Sequence, residues 1–424
     1  MHNSMVPTAE FWEEYIATTW NQRARLIERM FNRNVADADR VFRIMQAAAD
    51  HYRAGGNPNM SLYKNRGMIM ADREPFLPAA DDVSFESYCR RIDAKGMDEF
   101  TFMLFSCQLY DEELWAWGRR FLQGLYDRVG IPADHVDLDL FVGNYRRTGF
   151  GIHTDAAANF SFPIYGHKVM ALWRGNTFAA RPRTTEYSPF EKNRVILEAD
   201  PGDMMFWTPE YWHVGIAEEP GWSATLNLAL YIKRDPLSTV NKAFSLDKKA
   251  ARRKQATDPP EVFAANATGV PAEITEELRV LREMVNDQSL EDTLSEWWVR
   301  KLSSGGFNPV PAQKPVQLVH EEDELDRGEF PIEIVRLADG RAIIGANGHA
   351  LTHHSYEETF PLVRELNSAS GVRVGDLLEQ LNVPVEDCHV YCKLLAQLES
   401  FRAFTVGRAS RENAAESRHA VMAD

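Results

Sequence analysis

The sequence predicts an α+β protein in which a β-rich middle lies between two regions that contain helices. Three patterns support this prediction. Apolar residues recur at helical spacing in 1–130, they alternate with polar residues in short segments of 131–234, and helical spacing returns after 235. Many short strands separated by turns are typical of a sandwich or barrel rather than a parallel sheet. The 424 residues suggest two or three domains, at roughly 100–200 residues each.

The composition excludes several classes of protein. The chain has 47 Lys and Arg residues and 62 Asp and Glu residues, which gives a net charge of −15. Because this charge would repel phosphates, a nucleic-acid partner is not expected. A hydrophobic content of 44% excludes general disorder, and no apolar run reaches the roughly 18 residues of a membrane span. Four cysteines and an N-terminus without a secretory pattern predict a cytoplasmic protein with no disulfide scaffold.

Helical patterns dominate the N-terminal region. Apolar residues at positions 11, 12, 15 and 16 form one stripe, and 111–129 holds a longer stripe that ends before Gly130. We therefore predict that 1–130 is a helical region that packs on the β-rich core.

The β-rich core begins with an alternation of period two over 136–142. The tripeptide Pro201-Gly202-Asp203 predicts a tight turn between two of the later segments. Strands are predicted at 136–142, 160–164, 169–173, 195–197, 204–207 and 224–232.

The C-terminal part contains a small unit of its own. Asp339-Gly340 between two apolar segments predicts a hairpin, and helical patterns follow at 357–366, 374–381 and 386–398. Two strands and three short helices are typical of a winged-helix-like module. In chain order we predict a helical region, the β-rich core, a second helical region, a proline-rich acidic linker, the winged-helix-like module and a disordered polar tail. Their bounds are 1–130, 131–234, 235–306, 307–328, 329–406 and 407–424.

The most informative motif lies at the start of the β-rich core. Residues two apart on a strand point to the same face, so His153 and Asp155 could bind one metal ion together. His213, 58 residues after Asp155, is a candidate for the third ligand. Two imidazoles and one carboxylate leave coordination positions open, which suits non-haem Fe(II) in oxygen chemistry. Taken alone, however, a histidine on a strand is more often structural than a ligand.

The surroundings of this motif resemble the Jumonji C and cupin-like oxygenases that depend on Fe(II) and 2-oxoglutarate. The resemblance spans about 137–233. The ligand pair is followed by Gly166-His167-Lys168, which is similar to the family's Gly-x-Lys strand. Residues 201–209 resemble its Pro-Gly-Asp turn and the strand before the second histidine, and 225–228 resemble its last barrel strand.

This resemblance implies a fold and a set of binding residues. The fold would be a double-stranded β-helix, that is, a jelly-roll or cupin barrel. In the asparaginyl hydroxylase branch, a lysine at the position of Lys168 binds the distal carboxylate of 2-oxoglutarate, and asparagines at the positions of Asn159 and Asn227 approach the cosubstrate. Tyr145 could donate a hydrogen bond to 2-oxoglutarate, although a buried tyrosine usually belongs to packing.

The layout of the chain narrows the expected function. A barrel, a helical region and a winged-helix-like module in this order are similar to the ribosomal oxygenases, in which the intervening helices form a homodimer interface. The resemblance implies a dioxygenase that uses Fe(II), 2-oxoglutarate and O2 to hydroxylate a protein or peptide side chain, with 2-oxoglutarate decarboxylated to succinate. The alternatives are a small-molecule substrate, demethylation of a methylated lysine, and a non-catalytic binding protein on the same fold.

Overall fold

The computed structural model is an α+β structure with antiparallel sheets, as the sequence predicts. It describes residues 5–31, 35–65, 67–149, 151–175, 192–217, 221–233, 279, 282, 288–314 and 316–408. The chain divides into two compact units, Met1–Arg234 with Gly305–Val310, and Asp235–Ser304 with Pro311–Asp424. Within the described ranges, no helix has the length and apolar character needed to cross a bilayer.

The first unit is built on an eight-stranded antiparallel sheet. The strands of this unit are β1 Arg25–Ile27, β2 Met60–Lys64, β3 Gly67–Met68, β4 Phe100–Leu104, β5 Val136–Gly143, β6 Ala157–Tyr165, β7 Lys168–Arg174, β8 Val195–Ala199, β9 Met204–Trp207, β10 Tyr211–Ile216 and β11 Ser223–Tyr231. The large sheet has the order β1-β9-β6-β11-β5-β4-β2-β3, and a three-stranded sheet has the order β10-β7-β8.

Four helices of the first unit precede the β-rich core. They are α1 Ala9–Thr18, α2 Ala38–Arg53, α3 Phe85–Asp93 and α4 Glu112–Val129, with short 3-10 helices at Glu74–Phe76 and Cys107–Tyr110. The longest of them, α4, begins where the Asp111 carboxylate accepts the Leu114 N–H, and Gly130 ends it.

The prediction that 1–130 is helical is incomplete, because this region also supplies β1 to β4 of the large sheet. Strand β4 is buried on both faces, so its sequence shows no alternation of polar and apolar residues. A short apolar run of this kind cannot be assigned to a strand or a helix from periodicity alone.

Alternate residues of the large sheet face two different environments. On β6, Phe160 and Phe162 are buried against aromatic side chains of α1 and α4, whereas Asn159 and Ser161 line a cavity on the other face. Strand β11 repeats this division, with polar residues toward the cavity and leucines toward the other face. The period of two along a strand thus separates an apolar packing face from a polar cavity face.

The packing face is closed by aromatic rings. Trp12 of α1 contacts Phe121 of α4 at 5.4 Å and Phe160 of β6 at 6.2 Å between ring centroids, both edge to face. Phe121 contacts Phe160 at 5.5 Å. All three side chains are completely buried. Full burial of one such side chain contributes about 1.5–3 kcal/mol, so this layer holds the sheet in place behind the cavity.

The second unit contains one described helix followed by two small sheets and three helices. Its elements are α5 Gln288–Ser304, β12 Glu324–Arg327, β13 Glu333–Arg336, β14 Ala342–Ala346, β15 His349–His353, α6 Tyr356–Leu366, β16 Val372–Arg373, α7 Val374–Gln380, a 3-10 helix Val385–Asp387, α8 Cys388–Ser400 and β17 Phe404–Gly407. The sheets have the orders β13-β14-β15 and β16-β12-β17. Leucines of α6, α7 and α8 are buried in one common core.

The elements of the second unit agree with the helices predicted from the sequence but not with the predicted bounds of the linker and the tail. The three helices predicted after the hairpin are present as α6, α7 and α8. Strand β12 lies inside the segment 307–328 that was predicted to be a linker, and β17 reaches into the predicted tail 407–424. Residues 409–424 and most of the possible dimerisation region 235–306 lie outside the described residues.

Candidate functional site

The three predicted metal ligands converge in the first unit. Residue 153 forms an isolated antiparallel bridge with residue 213. The His153 N–H donates to the His213 carbonyl at 3.2 Å, and the His213 N–H donates to the His153 carbonyl at 2.8 Å. The Asp155 carboxylate lies 3.6 Å from His153 Nε2 and 3.3 Å from His213 Nε2. The backbone pairing of two distant segments therefore brings both imidazoles to one carboxylate.

The orientation of each imidazole is fixed by a backbone carbonyl. His153 Nδ1 lies 3.0 Å from the Gly151 carbonyl, and His213 Nδ1 lies 3.3 Å from the Tyr211 carbonyl. Because a carbonyl can only accept, each Nδ1 is a donor to its carbonyl, and each Nε2 is directed toward Asp155. Gly151 has a φ of +73°, a left-handed conformation that a residue with a side chain rarely adopts. A glycine is therefore needed where the chain turns toward the ligand pair.

The charge of Asp155 is stabilised by its neighbours. Burial disfavours the carboxylate, but the charges and hydrogen bonds of His213, His153 and Asn159 outweigh burial and lower the pKa of Asp155 to about 2. The group is therefore ionised at neutral pH, as a metal ligand must be.

The donor set and its spacing fit a single transition-metal ion. One atom from each of the three residues lies within 4.8 Å of the others. Ligand atoms that share one ion at about 2.1 Å lie roughly 3–4 Å apart, which agrees with the two distances from Asp155. Two imidazoles and a carboxylate with open positions are the ligand set of non-haem Fe(II) oxygenases.

The three residues line a cavity of about 320 Å³ enclosed by the first unit. This volume lies in the range of small-molecule and cofactor sites. The wall includes all but one of the seven residues singled out from the sequence: His153, Asp155, Asn159, Lys168, His213 and Asn227.

Lys168 places a buried cation on the cavity wall. Its side chain is 5% exposed, and its Nζ donates to the Tyr145 hydroxyl and lies 4.8 Å from the centre of the Tyr145 ring. Across the described ranges, the contacts of Lys168 include no carboxylate within 4.0 Å. A buried ammonium without a carboxylate partner is costly unless an anion binds beside it.

Tyr145 differs from its predicted role. The tyrosine is buried, but it lines a second cavity of about 280 Å³ rather than the cavity of the metal ligands. Lys168 lines both cavities. Tyr145 therefore contacts the amine of Lys168, and its predicted hydrogen bond to 2-oxoglutarate stays a prediction.

Asn159 and Asn227 form a hydrogen-bonded pair on the cavity wall. Asn227 Nδ2 donates to Asn159 Oδ1 at 2.8 Å, and Asn159 Nδ2 donates to the Ala157 carbonyl at 3.2 Å. Asn159 also contributes to the lowered pKa of the Asp155 carboxyl. The two amides thus join β6 to β11 on the cavity wall.

Four buried polar atoms of the cavity wall have no hydrogen-bond partner among the residues that the structure describes. They are Thr148 Oγ1, Trp207 Nε1, Thr225 Oγ1 and Asn227 Oδ1. An unpaired buried polar group costs roughly 1–3 kcal/mol, and native proteins contain few of them. A polar ligand in the cavity would satisfy them.

Asp139 is a residue of the cavity wall that is not among those predicted from the sequence. This residue lines the cavity, is 4% exposed and accepts the Ser106 N–H at 3.1 Å. Burial and then the charge of Asp137 raise the pKa of the Asp139 carboxyl well above its usual range. The available signal was the alternation of acids with Leu138 and Leu140 in the predicted strand 136–142, which marks the polar face of β5.

Comparison with known proteins adds information about the fold. Neither a protein-family model nor a curated protein matches the sequence. Among solved structures, the Escherichia coli ribosomal oxygenase YcfD is 14% identical and matches 93% of this chain and 98% of its own, with a TM-score of 0.51. Its structure in complex with cobalt and 2-oxoglutarate is also 14% identical and matches 94% of this chain and 98% of that chain, with a TM-score of 0.50. The chain therefore has the fold of the ribosomal oxygenase YcfD.

Proposed function

We propose that this protein is an Fe(II)- and 2-oxoglutarate-dependent dioxygenase that hydroxylates a side chain of a protein or peptide. The observation that carries the proposal is one cavity that contains both the convergent set His153, Asp155 and His213 and the buried amine of Lys168. The first suits a non-haem iron ion, and the second suits the far carboxylate of a dianionic cosubstrate.

The fold supports this assignment. A structure of YcfD, which has the same fold, is a complex with cobalt and 2-oxoglutarate. We assign the strands around the cavity to a double-stranded β-helix, the jelly-roll barrel expected from the sequence, and the second unit to a winged-helix-like module. Because the fold match to a ribosomal oxygenase extends over 93% of this chain, it favours a macromolecular substrate.

Each residue has a defined part in this proposal. Fe(II) and 2-oxoglutarate, when bound, would supply the oxidation in which O2 is consumed, succinate is formed and the substrate gains an oxygen atom. His153 and His213 present Nε2, because their Nδ1 protons are held by backbone carbonyls. Asp155 supplies a negative charge that Asn159 keeps oriented. Lys168 binds the distal carboxylate from a position fixed by Tyr145.

A small-molecule substrate is the second candidate, and the size of the cavity favours it. A volume of about 320 Å³ is small for a cavity that must hold both a cosubstrate and the target group. A protein substrate would therefore insert only one side chain, with the rest of the polypeptide outside the cavity.

The proposal is tested by measuring succinate formation. The purified full-length protein is incubated with Fe(II), 2-oxoglutarate and O2, and succinate is quantified by proton NMR. We expect slow turnover without substrate and faster turnover when an extract of cellular proteins is added. If only the low-molecular-weight filtrate of that extract accelerates turnover, the substrate is a small molecule.

The variants His153→Ala and Asp155→Ala provide the decisive comparison. Both should reduce succinate formation to the level of free iron, because the ion loses one of three ligands. His51→Ala is the matched control, since this exposed imidazole contacts Tyr110 and lies outside the cavity lining. Equal turnover in wild type and both ligand variants would refute the assignment.

A further inference from the structure

Gly215 lies on the same face of β10 as the metal ligand His213. Two residues along an antiparallel strand span about 7 Å and point to the same side. Gly215 pairs with Met170 of β7 and lines the main cavity together with it. The strand that carries the second histidine therefore has a gap in its row of side chains on the cavity face, one step beyond the metal ligand.

The amine of Lys168 occupies this gap. Lys168 begins β7 and shares a face with Met170, so its side chain lies over Gly215. A Cβ atom at position 215 would lie 2.8 Å from Lys168 Nζ and 3.1 Å from Thr148 Cγ2. Both separations are shorter than ordinary van der Waals contact. The present position of the amine is compatible only with glycine at 215.

The Tyr145 ring limits movement of the amine on one side. Tyr145 lies behind it, on the side of the second cavity, and accepts a hydrogen bond from Nζ. A side chain at 215 would therefore displace the amine toward the open main cavity, on the side of the metal ligands. This movement would shorten the distance between Lys168 Nζ and the metal ligands.

We propose that Gly215 sets the length of the dicarboxylate that the site accepts, by allowing the Lys168 amine to sit one strand step beyond the metal ligands. The inference rests on the proposed function and goes beyond it, because it assigns cosubstrate selectivity to a residue with no side chain. A 2-oxo diacid of five carbons spans about 5–6 Å between its end carbons, and a shorter diacid would need the cation nearer to the metal ligands.

The test compares 2-oxo diacids of four, five and six carbons. Binding of oxaloacetate, 2-oxoglutarate and 2-oxoadipate to the full-length protein with Mn(II) is measured by calorimetry, which does not require turnover. Wild type should prefer the five-carbon acid. In Gly215→Ala, affinity for 2-oxoglutarate should fall about tenfold or more, since an added methyl group in a packed region typically costs about 1–3 kcal/mol. Affinity for oxaloacetate should fall less. The preference should therefore shift to the shorter acid.

A second glycine provides a matched control. Gly221 lines the second cavity, and a Cβ atom there would meet no atom within 4 Å. Gly221→Ala should bind the three acids as wild type does. In the double variant Gly215→Ala with Tyr145→Ala, the amine can retreat into the space left by the ring, and the five-carbon preference should return.

The outcomes separate this inference from the proposed function. If wild type with Mn(II) binds none of the acids, the proposed function fails. If wild type binds 2-oxoglutarate and Gly215→Ala retains the wild-type order and affinities, Gly215 does not set the length. Should Gly215→Ala lose Mn(II) binding through misfolding, Lys168→Arg replaces it, because a longer cation should also favour the four-carbon acid. An unchanged order in that variant would overturn the inference.

Discussion

On β6, Phe160 and Phe162 point to one face of the large sheet, and Asn159 and Ser161 point to the other. The phenylalanine face is packed against the aromatic rings of α1 and α4. The other face lines the cavity that contains the metal ligands, the lysine and four unpaired polar atoms. The same nine-residue strand therefore serves two surfaces of opposite character.

This difference shows how the protein supports a destabilised site. Unpaired buried polar groups and a buried amine reduce the stability of the folded state. Aromatic packing on the opposite face offsets that cost, because each ring buried there contributes apolar contact and favourable ring geometry. We therefore expect substitutions on the packing face to change stability, and substitutions on the cavity face to change binding.

The largest effect on the cavity face is expected at His213. His213→Ala should weaken Mn(II) binding by more than a hundredfold, beyond the ten- to hundredfold loss typical of residues that only support a ligand. Manganese EPR titration measures this affinity. The thermal unfolding curve should stay close to that of wild type. A loss of less than tenfold would mean that the ion is not held by this histidine.

On the packing face, the largest effect is expected at Phe160. This completely buried ring contacts Phe206 at 4.9 Å and Phe121 at 5.5 Å between centroids. Phe160→Ala should lower the free energy of unfolding by about 3–5 kcal/mol. The neighbouring change Ser161→Ala should lower it by less than about 1 kcal/mol. Urea denaturation of both variants checks the comparison, and equal losses would contradict the division of the two faces.

A smaller effect on binding is expected at Lys168. Lys168→Ala should weaken 2-oxoglutarate binding about thirtyfold or more, since loss of one partner of a buried charge pair costs about 2–5 kcal/mol. Calorimetry in the presence of Mn(II) measures the dissociation constant. Lys314→Ala, a change at an exposed lysine of the second unit, is the control. An unaltered dissociation constant in Lys168→Ala would remove this residue from the site.

The smallest effect is expected from the asparagine pair. Asn159→Ala should weaken Mn(II) binding about tenfold, because the Asp155 carboxylate loses a polar neighbour that favours its charged form. Asn227→Ala should weaken it by less, since Asn227 acts through Asn159. In the double variant the two losses should not add. Additive losses in the EPR titration would show that the two amides act separately.

Structural features that depend on residues only a few positions apart could be predicted from the sequence. The spacing of His153 and Asp155 predicts a shared face on a strand. In the structure both residues precede β6 rather than lying on a strand, and their side chains still lie together. The helices α6, α7 and α8 lie where apolar spacing predicts them. Strands β1 to β4 were not predicted, because short strands buried within a larger sheet lack a diagnostic period.

Other features depended on partners far away in the chain. Asp139 carries no motif, and its place in the cavity follows from the pairing of β5 with β11, where it lies opposite Asn227. The contact between Tyr145 and Lys168 likewise joins residues 23 positions apart, and no sequence pattern indicates it.

Strand periodicity and metal chemistry act over a few residues, so the sequence sufficed for the α+β class and for the types and order of the proposed ligands. The bridge between His213 and His153, and the position of Lys168 over Gly215, are visible only in the folded chain. Those contacts join residues separated by dozens of positions. They depend on strand register and on the space that packing leaves, which no local pattern encodes.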